Sequence, residues 1–272
     1  MEPSDAHFFL IFLLSSNESL ARRFDLGLML LMETVDHTSA IEQNLSNWKA
    51  SLFECIPIGG LISRNAIVYK WKAPFRVWML RELSFWREHD LMAQSYALHQ
   101  QGYGLGARVL LRSGFETLAT LIYLNVLIQQ VIDRNLNFHM FAKKTSTLLL
   151  GSRNDEAMPD AISILTVLRK SDKRYPGLMG LYAELSESAH PNYQGLMGGY
   201  SSTNHDEYET TFSNRWMELH GDRHLSGMSL CMEVFHHEYN DVWPELIQKF
   251  ETWIEANDAE LEGTKSDPLP TQ

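Results

Sequence analysis

Apolar residues recur along most of this chain at three- and four-residue steps, the spacing that places them on one face of an α-helix. Between residues 24 and 56 they fall at Leu28, Leu31, Met32 and Val35, then at Ile41, Leu45, Trp48 and Leu52. The run IPIGG, Ile56 to Gly60, brings a proline and two glycines together and predicts a break there. Pro74 suits the first turn of a helix continuing to about Gln101. The next helix, from about Leu105 to Asp133, is apolar almost all round in its second half, which predicts a central, buried position. Further helices are expected at Phe138–Leu150, Asp155–Ser171, Gly177–His190, Thr210–His220 and His224–Ala256. Pro244 should kink or split the last of these, with Asp241 as its candidate cap.

Strand signals are scarce. No convincing alternating run is bounded by turn residues, and no Asn-Gly or Asp-Gly hairpin turn occurs. No 34- or 40-residue repeat is visible either. The expected architecture is all-α: a single-domain helical bundle of about seven to nine helices over residues 1–257. A disordered acidic tail is expected over 258–272, because the last 20 residues hold five acids against one lysine.

Composition narrows the class. Apolar residues make up 44% of the chain and charged residues 21%, a globular balance. The formal charge of −11 disfavours long-range steering toward phosphate backbones. Cys55 and Cys231 lie far apart and suggest neither a disulfide framework nor a zinc knuckle, which fits a reducing compartment. The oily run Phe8–Leu14 is short and lacks a basic flank, and Leu118–Ile132 holds Asn125, Gln129 and Gln130. Both fall short of the ~20 apolar residues that a bilayer span needs. The expectation is a cytoplasmic protein, with no membrane partner, that self-associates through an oily helix. The run GYGLGA, Gly102 to Ala107, has the glycine spacing of a dinucleotide loop but follows a helical pattern instead of a strand. It predicts close helix packing or a helix break, and no cofactor is expected.

Candidate chemistry concentrates in two places. Arg108, Arg112 and Glu116 recur every four residues and form one stripe on the helix expected to be most buried. In such a place Arg112 and Glu116 must be paired. In LSESAHPN, Leu185 to Asn192, Glu187 and His190 stand one helical turn apart, with Ser186 on the preceding turn. Pro191 ends that helix, so His190 either caps it or joins a buried Arg/Glu/Glu/His cluster suited to acid–base chemistry.

The pair of motifs RSGFET and LSESAHPN resembles a bacterial family of all-helical proteins of unknown function, in which an R-S-x-x-E-T helix is paired with an L-S-x-x-x-H segment. The resemblance spans roughly Leu91 to Asn192. It implies kinship with HEPN domains, helical bundles often found as ribonuclease toxins and defence effectors, and it marks Arg112, Glu116, Ser186 and His190. HEPN ribonucleases carry an R-x₄₋₆-H motif, to which RNLNFH, Arg134 to His139, conforms. RWMELH, Arg215 to His220, matches in spacing alone. In that reading His139 is the general acid/base and Arg134 holds the scissile phosphate.

Two more readings come from spacing. Glu187/His190 and Glu233/His236 are both E-x-x-H, as in di-iron bundles, with Glu116 and either Glu33 or Glu88 as further ligands. The segment 64–87 interleaves Arg64, Lys70, Lys72, Arg76, Arg81 and Arg87 with six aromatics, a composition that can hold an RNA or a protein partner. Three functions therefore stand open: a non-catalytic binding or regulatory module with a structural polar cluster, a HEPN-like metal-independent ribonuclease, and a carboxylate-bridged di-metal bundle.

Overall fold

The computed structural model describes residues 37–152 and 158–266. Its elements run α1 (His37–Ser51), α2 (Ile58–Arg64), α3 (Ala66–Tyr69), α4 (Lys72–Gln100), α5 (Gly104–Ile132), α6 (Phe138–Leu150), α7 (Ile164–Asp172) and α8 (Leu178–Ala189). A π-helical turn (Gln194–Gly198), a hairpin of β1 (Ser201–Asn204) and β2 (Glu209–Phe212), and α9 (Trp216–His236) follow. A second π-helical turn (His237–Val242) then leads into α10 (Trp243–Gly263). The fold is all-α. The ten α-helices among the described residues exceed the expected seven to nine because α2 and α3 are short helices where only a linker was expected.

The chain divides into two compact units. One comprises residues up to Ala50, Arg87–Thr117 and Leu168–Glu233. The other comprises Ser51–Trp86, Leu118–Val167 and everything from Val234 onward. Helices α4, α5 and α9 each contribute a segment to both. In the first unit Met92, Leu111, Phe115, Met228 and Cys231 form buried core. In the second the core is aromatic, with Phe138, Phe141 and Phe250 in mutual contact and Phe85 against Phe235 and Tyr239.

Several boundaries follow from identifiable side chains. Asn137 accepts hydrogen bonds from the backbone N–H groups of His139 and Met140 and so starts α6. Gly102, at φ 79°, ends α4 in the left-handed conformation that glycine adopts without strain. A Cβ at Gly104 would press on Trp216 at 3.0 Å, so GYGLGA is indeed a packing device.

Other expectations need correction. Pro57 and its glycines start α2 instead of only ending α1. The helix expected at Thr210–His220 is instead the end of a hairpin followed by α9, which runs unbroken through Gly221. The hairpin pairs Ser201 with Phe212 and Asn204 with Glu209. Its four-residue strands carry no buried face, so no apolar alternation announced them. The last helical stretch is split before Pro244, as expected, but Asp241 caps nothing. It accepts a 2.9 Å hydrogen bond from His237 within the π-helical turn instead. Helix α10 continues to Gly263, past the expected boundary at 257, and residues 267–272 lie outside the described part. The oily run Phe8–Leu14 and Glu33 lie outside it as well.

Among the described residues one helix, α5, is long and apolar enough to cross a membrane, and 67% of its most apolar window is buried inside the protein.

Candidate functional site

The first unit holds the polar stripe of α5. Arg112 lies against α8, where its Nε donates to Ser186 Oγ at 2.9 Å and its Nη2 to the Tyr182 hydroxyl at 2.5 Å. That hydroxyl donates onward to Glu116 Oε1 at 3.0 Å, and Arg112 and Glu116 are ion-paired at 3.2 Å. The guanidinium also sits over the Tyr182 ring. One turn earlier on α5, Arg108 donates to Ser188 Oγ at 2.8 Å and approaches Glu184 at 3.3 Å. Arg108 is the more buried cation, its side chain 3% exposed against 24% for Arg112 and 22% for Glu116. Burial pulls the Arg108 guanidinium below its ordinary range, with Glu184 acting in the opposite direction.

The LSESAHPN segment therefore works as a fastening. Ser186 and Ser188 alternate as acceptors for Arg112 and Arg108, while Glu187 accepts from Asn192 at 2.5 Å. His190 is the residue after the last turn of α8, exposed and extended. Its carbonyl accepts the Asn192 N–H, and a Cβ at Gly195 would come within 1.9 Å of that carbonyl oxygen. The four-residue Arg/Glu/Glu/His cluster is thus not assembled. His190 stands at the C-cap of α8, the other of its two expected places, while Tyr182 joins Arg112 to Glu116 and Glu187 turns to the loop. The i, i+4 spacing of Tyr182 and Ser186 was the available signal for this partner.

A second group of buried titratable residues lies in the same unit. His224 accepts no partner on Nδ1 and meets Ser95 Oγ through Nε2 at 3.0 Å. Because Ser95 donates its proton to the Ala107 carbonyl, the imidazole is the donor in that contact. Burial, then neighbouring His99 and Arg108, hold the His224 pKa down at about 3. Glu88 is fully buried, accepts from the Cys231 thiol at 3.3 Å, and has its pKa pushed well up by burial. Burial likewise raises Glu233 to about 7. His236 is exposed. No group of three or more His, Cys, Asp or Glu side chains converges for a metal among the described residues, to which Glu33 does not belong.

In the second unit the two residues of the HEPN-type motif have different partners. Arg134, in the turn after α5 at φ 58°, donates to Asn257 at 2.7 Å. His139 Nε2 meets Thr264 Oγ1 at 3.1 Å. Those two anchors lie seven positions apart along the end of α10, roughly 10 Å at 1.5 Å per residue. Arg134 also approaches Glu260 at 3.9 Å, four positions before Thr264, so the two side chains are fastened to adjacent turns at the end of α10.

The basic, aromatic segment meets the acids of α10. Arg64 pairs with Glu251 at 2.5 Å, Asn65 donates to Glu255, and Lys70 bonds Asp258 and Glu262. The Trp71 indole also donates to Asp258. Arg76 donates to the Ala142 carbonyl and Arg87 to Thr117, while Lys72 is exposed. Two of the six cations that suggested a nucleic-acid surface, Arg64 and Lys70, are thus paired with acids of α10, two of which, Asp258 and Glu262, fall in the stretch expected to be a tail.

Arg81 is the exception in kind. It and Glu82 form an ion pair with both side chains only 8% exposed. The guanidinium lies 3.3 Å from the centre of the Tyr239 ring, and the Tyr239 hydroxyl donates to Glu82 at 2.7 Å. Beside this pair is a cleft of about 560 Å³, lined by Phe53, Trp78, Trp243 and Ile247 with Arg64, Arg81 and Glu251 among its polar residues. Two nitrogens of its lining residues, Arg81 Nε and Trp243 Nε1, are buried without an acceptor. Arg81 is legible in the sequence only as one cation of the basic segment, whereas its contacts with Glu82, Tyr239 and Trp243 arise from the fold.

Comparison with family models, with curated proteins and with solved structures finds no significant match to the chain.

Proposed function

We propose that this protein is a non-catalytic helical binding or regulatory module acting in the cytoplasm. One observation carries the reading. The head groups expected to perform chemistry are engaged by the protein itself: Arg112 by Ser186, Tyr182 and Glu116, Arg108 by Ser188 and Glu184, with His190 outside the cluster. A general base needs hydrogen-bond reach to a substrate proton. This cluster instead uses its arginines to hold α8 on α5. A ribonuclease reading would need Arg134 and His139 to leave Asn257 and Thr264 and meet at a common phosphate.

The test is induced expression of the wild type, His139→Ala and His190→Ala, with growth and total RNA followed together. The module reading predicts normal growth and intact RNA for all three. Arrest with RNA cleavage that one histidine substitution abolishes, at unchanged protein level, would overturn it.

A further inference from the structure

We infer that the first π-helical turn and the hairpin form a docking face for a second copy of this chain, which meets it with the basic end of α7. The inference goes beyond the module reading and does not depend on it. Three observations in the first unit converge on it.

The first is open apolar surface. Tyr193, Leu196 and Met197, at the π-helical turn, are exposed, while Tyr208 at the hairpin tip is 95% exposed and Phe212 on β2 83%. Turn and hairpin are tied together, since Ser201 Oγ donates to the Met197 carbonyl at 2.8 Å and the Ser213 N–H to that of Tyr200 at 3.0 Å. Every residue from Ser202 to Asn214 is exposed. Large apolar side chains concentrated this openly on one surface mark a contact with another molecule.

The second is an unguarded sheet. It has two strands among the described residues, so each strand has one edge without a strand neighbour. Residues 192–214 hold no lysine, arginine or proline, the residues that commonly protect such an edge. Their only acids, Asp206, Glu207 and Glu209, stand at the tip. Asp206 and Glu209 form no ion pair among the described residues.

The third is a complementary surface on the chain itself. Arg169, Lys170 and Lys173 lie exposed within about one turn at the end of α7, and none is ion-paired among the described residues. Asp172 beside them is engaged by the backbone N–H groups of Gly177 and Met179, at 3.1 and 2.9 Å. Three open cations so close together are scarce on a chain of formal charge −11, and they belong to the same unit as the hairpin. A two-fold arrangement joins hairpin to α7 twice, once in each direction. The charges fix register and partner, and the aromatic side chains supply the buried area.

The experiment is analytical ultracentrifugation of the full chain with a charge swap. The wild-type mass should rise toward that of a dimer between about 1 and about 100 μM, the range of a small interface with a charged rim. Asp206→Lys with Glu209→Lys gives a variant whose hairpin repels α7 of its own kind. Lys170→Glu with Lys173→Glu gives one whose α7 repels its own hairpin. Each should stay monomeric alone, and the two should form a mixed dimer when combined, because both junctions are then complementary. Phe212→Ser, which leaves every charge in place, should weaken wild-type association at least about tenfold. All the substituted positions are exposed, and circular dichroism checks that the fold is kept. A wild type that stays monomeric throughout would overturn the inference and leave the hairpin to a different partner. Dimers that survive both charge reversals, or reversed variants that fail to associate when mixed, would overturn it as well.

Discussion

Two arginines of this chain sit in nearly the same company and come to different ends. Arg112 lies over the ring of Tyr182, whose hydroxyl donates to Glu116, the acid paired with Arg112. Arg81 lies over the ring of Tyr239, whose hydroxyl donates to Glu82, the acid paired with Arg81. The first triad is half-buried and Ser186 takes up its remaining Nε donor. The second is buried, its Nε has no acceptor, and a cleft opens beside it. The same three residue types thus make a fastening in one unit and stand beside a cleft in the other. What differs is whether the last donor has a partner.

The comparison breaks first under removal of the acid. Glu82→Ala leaves a buried guanidinium without its counter-charge and should destabilise the protein by about 3–5 kcal/mol in urea unfolding. Glu116→Ala, at a half-exposed pair, should cost about 1 kcal/mol. Equal losses would mean that the difference in burial between the two triads has no energetic consequence.

A contrast of similar size separates burial by pairing from burial by neutrality. His224 and Glu233 carry no partner charge, so the fold keeps them uncharged. For His224 the folded pKa of about 3 lies below the ordinary 6.5, so its contribution is lost as pH falls from 6.5 toward 3. For Glu233 the folded pKa of about 7 lies above the ordinary 4.5, so its contribution is lost as pH rises from 4.5 toward 7. Between pH 4.5 and 6.5 the two slopes oppose and nearly cancel. Glu233→Gln removes one of them. Relative to wild type, that variant should lose roughly 3 kcal/mol of stability between pH 6.5 and 4.5, at about 1.4 kcal/mol per unit. Parallel pH profiles for variant and wild type would show that Glu233 titrates normally.

Smaller effects sharpen the comparison at the tyrosines. Tyr239→Phe removes a buried donor from Glu82 and should cost about 1–3 kcal/mol, against about 1 kcal/mol for Tyr182→Phe. Arg64→Gln should change stability by no more than about 0.5 kcal/mol, because its pair with Glu251 is on the surface.

The two triads also differ in how far the sequence disclosed them. Arg112 and Glu116 stand four residues apart on a helix, and that spacing announces a pair. Arg81 and Glu82 are adjacent, a spacing that points neighbouring side chains of a helix in different directions. Only the approach of Tyr239 from the second π-helical turn draws them together. The long helices were legible because their apolar periodicity extends over many turns. The hairpin was not, because its strands bury nothing, and the fate of Lys70 was not, because Asp258 lies 188 residues away. The Ser186 and Ser188 contacts were half legible: the segment was singled out and His190 stands at the C-cap of α8, one of its two expected places, but Tyr182 was not foreseen as the member that joins Arg112 to Glu116.

The most direct test of the account is equilibrium urea unfolding of Arg112→Ala against wild type. Functional clusters are commonly held at a cost to stability, so removing a member leaves the fold as stable or more so. A fastening behaves in the opposite way. The account predicts a loss of about 1–3 kcal/mol at an unchanged denaturant slope, from Ser186, Tyr182 and Glu116 losing their shared partner. Unchanged or increased stability would contradict it and return the α5/α8 cluster to the list of candidate active sites.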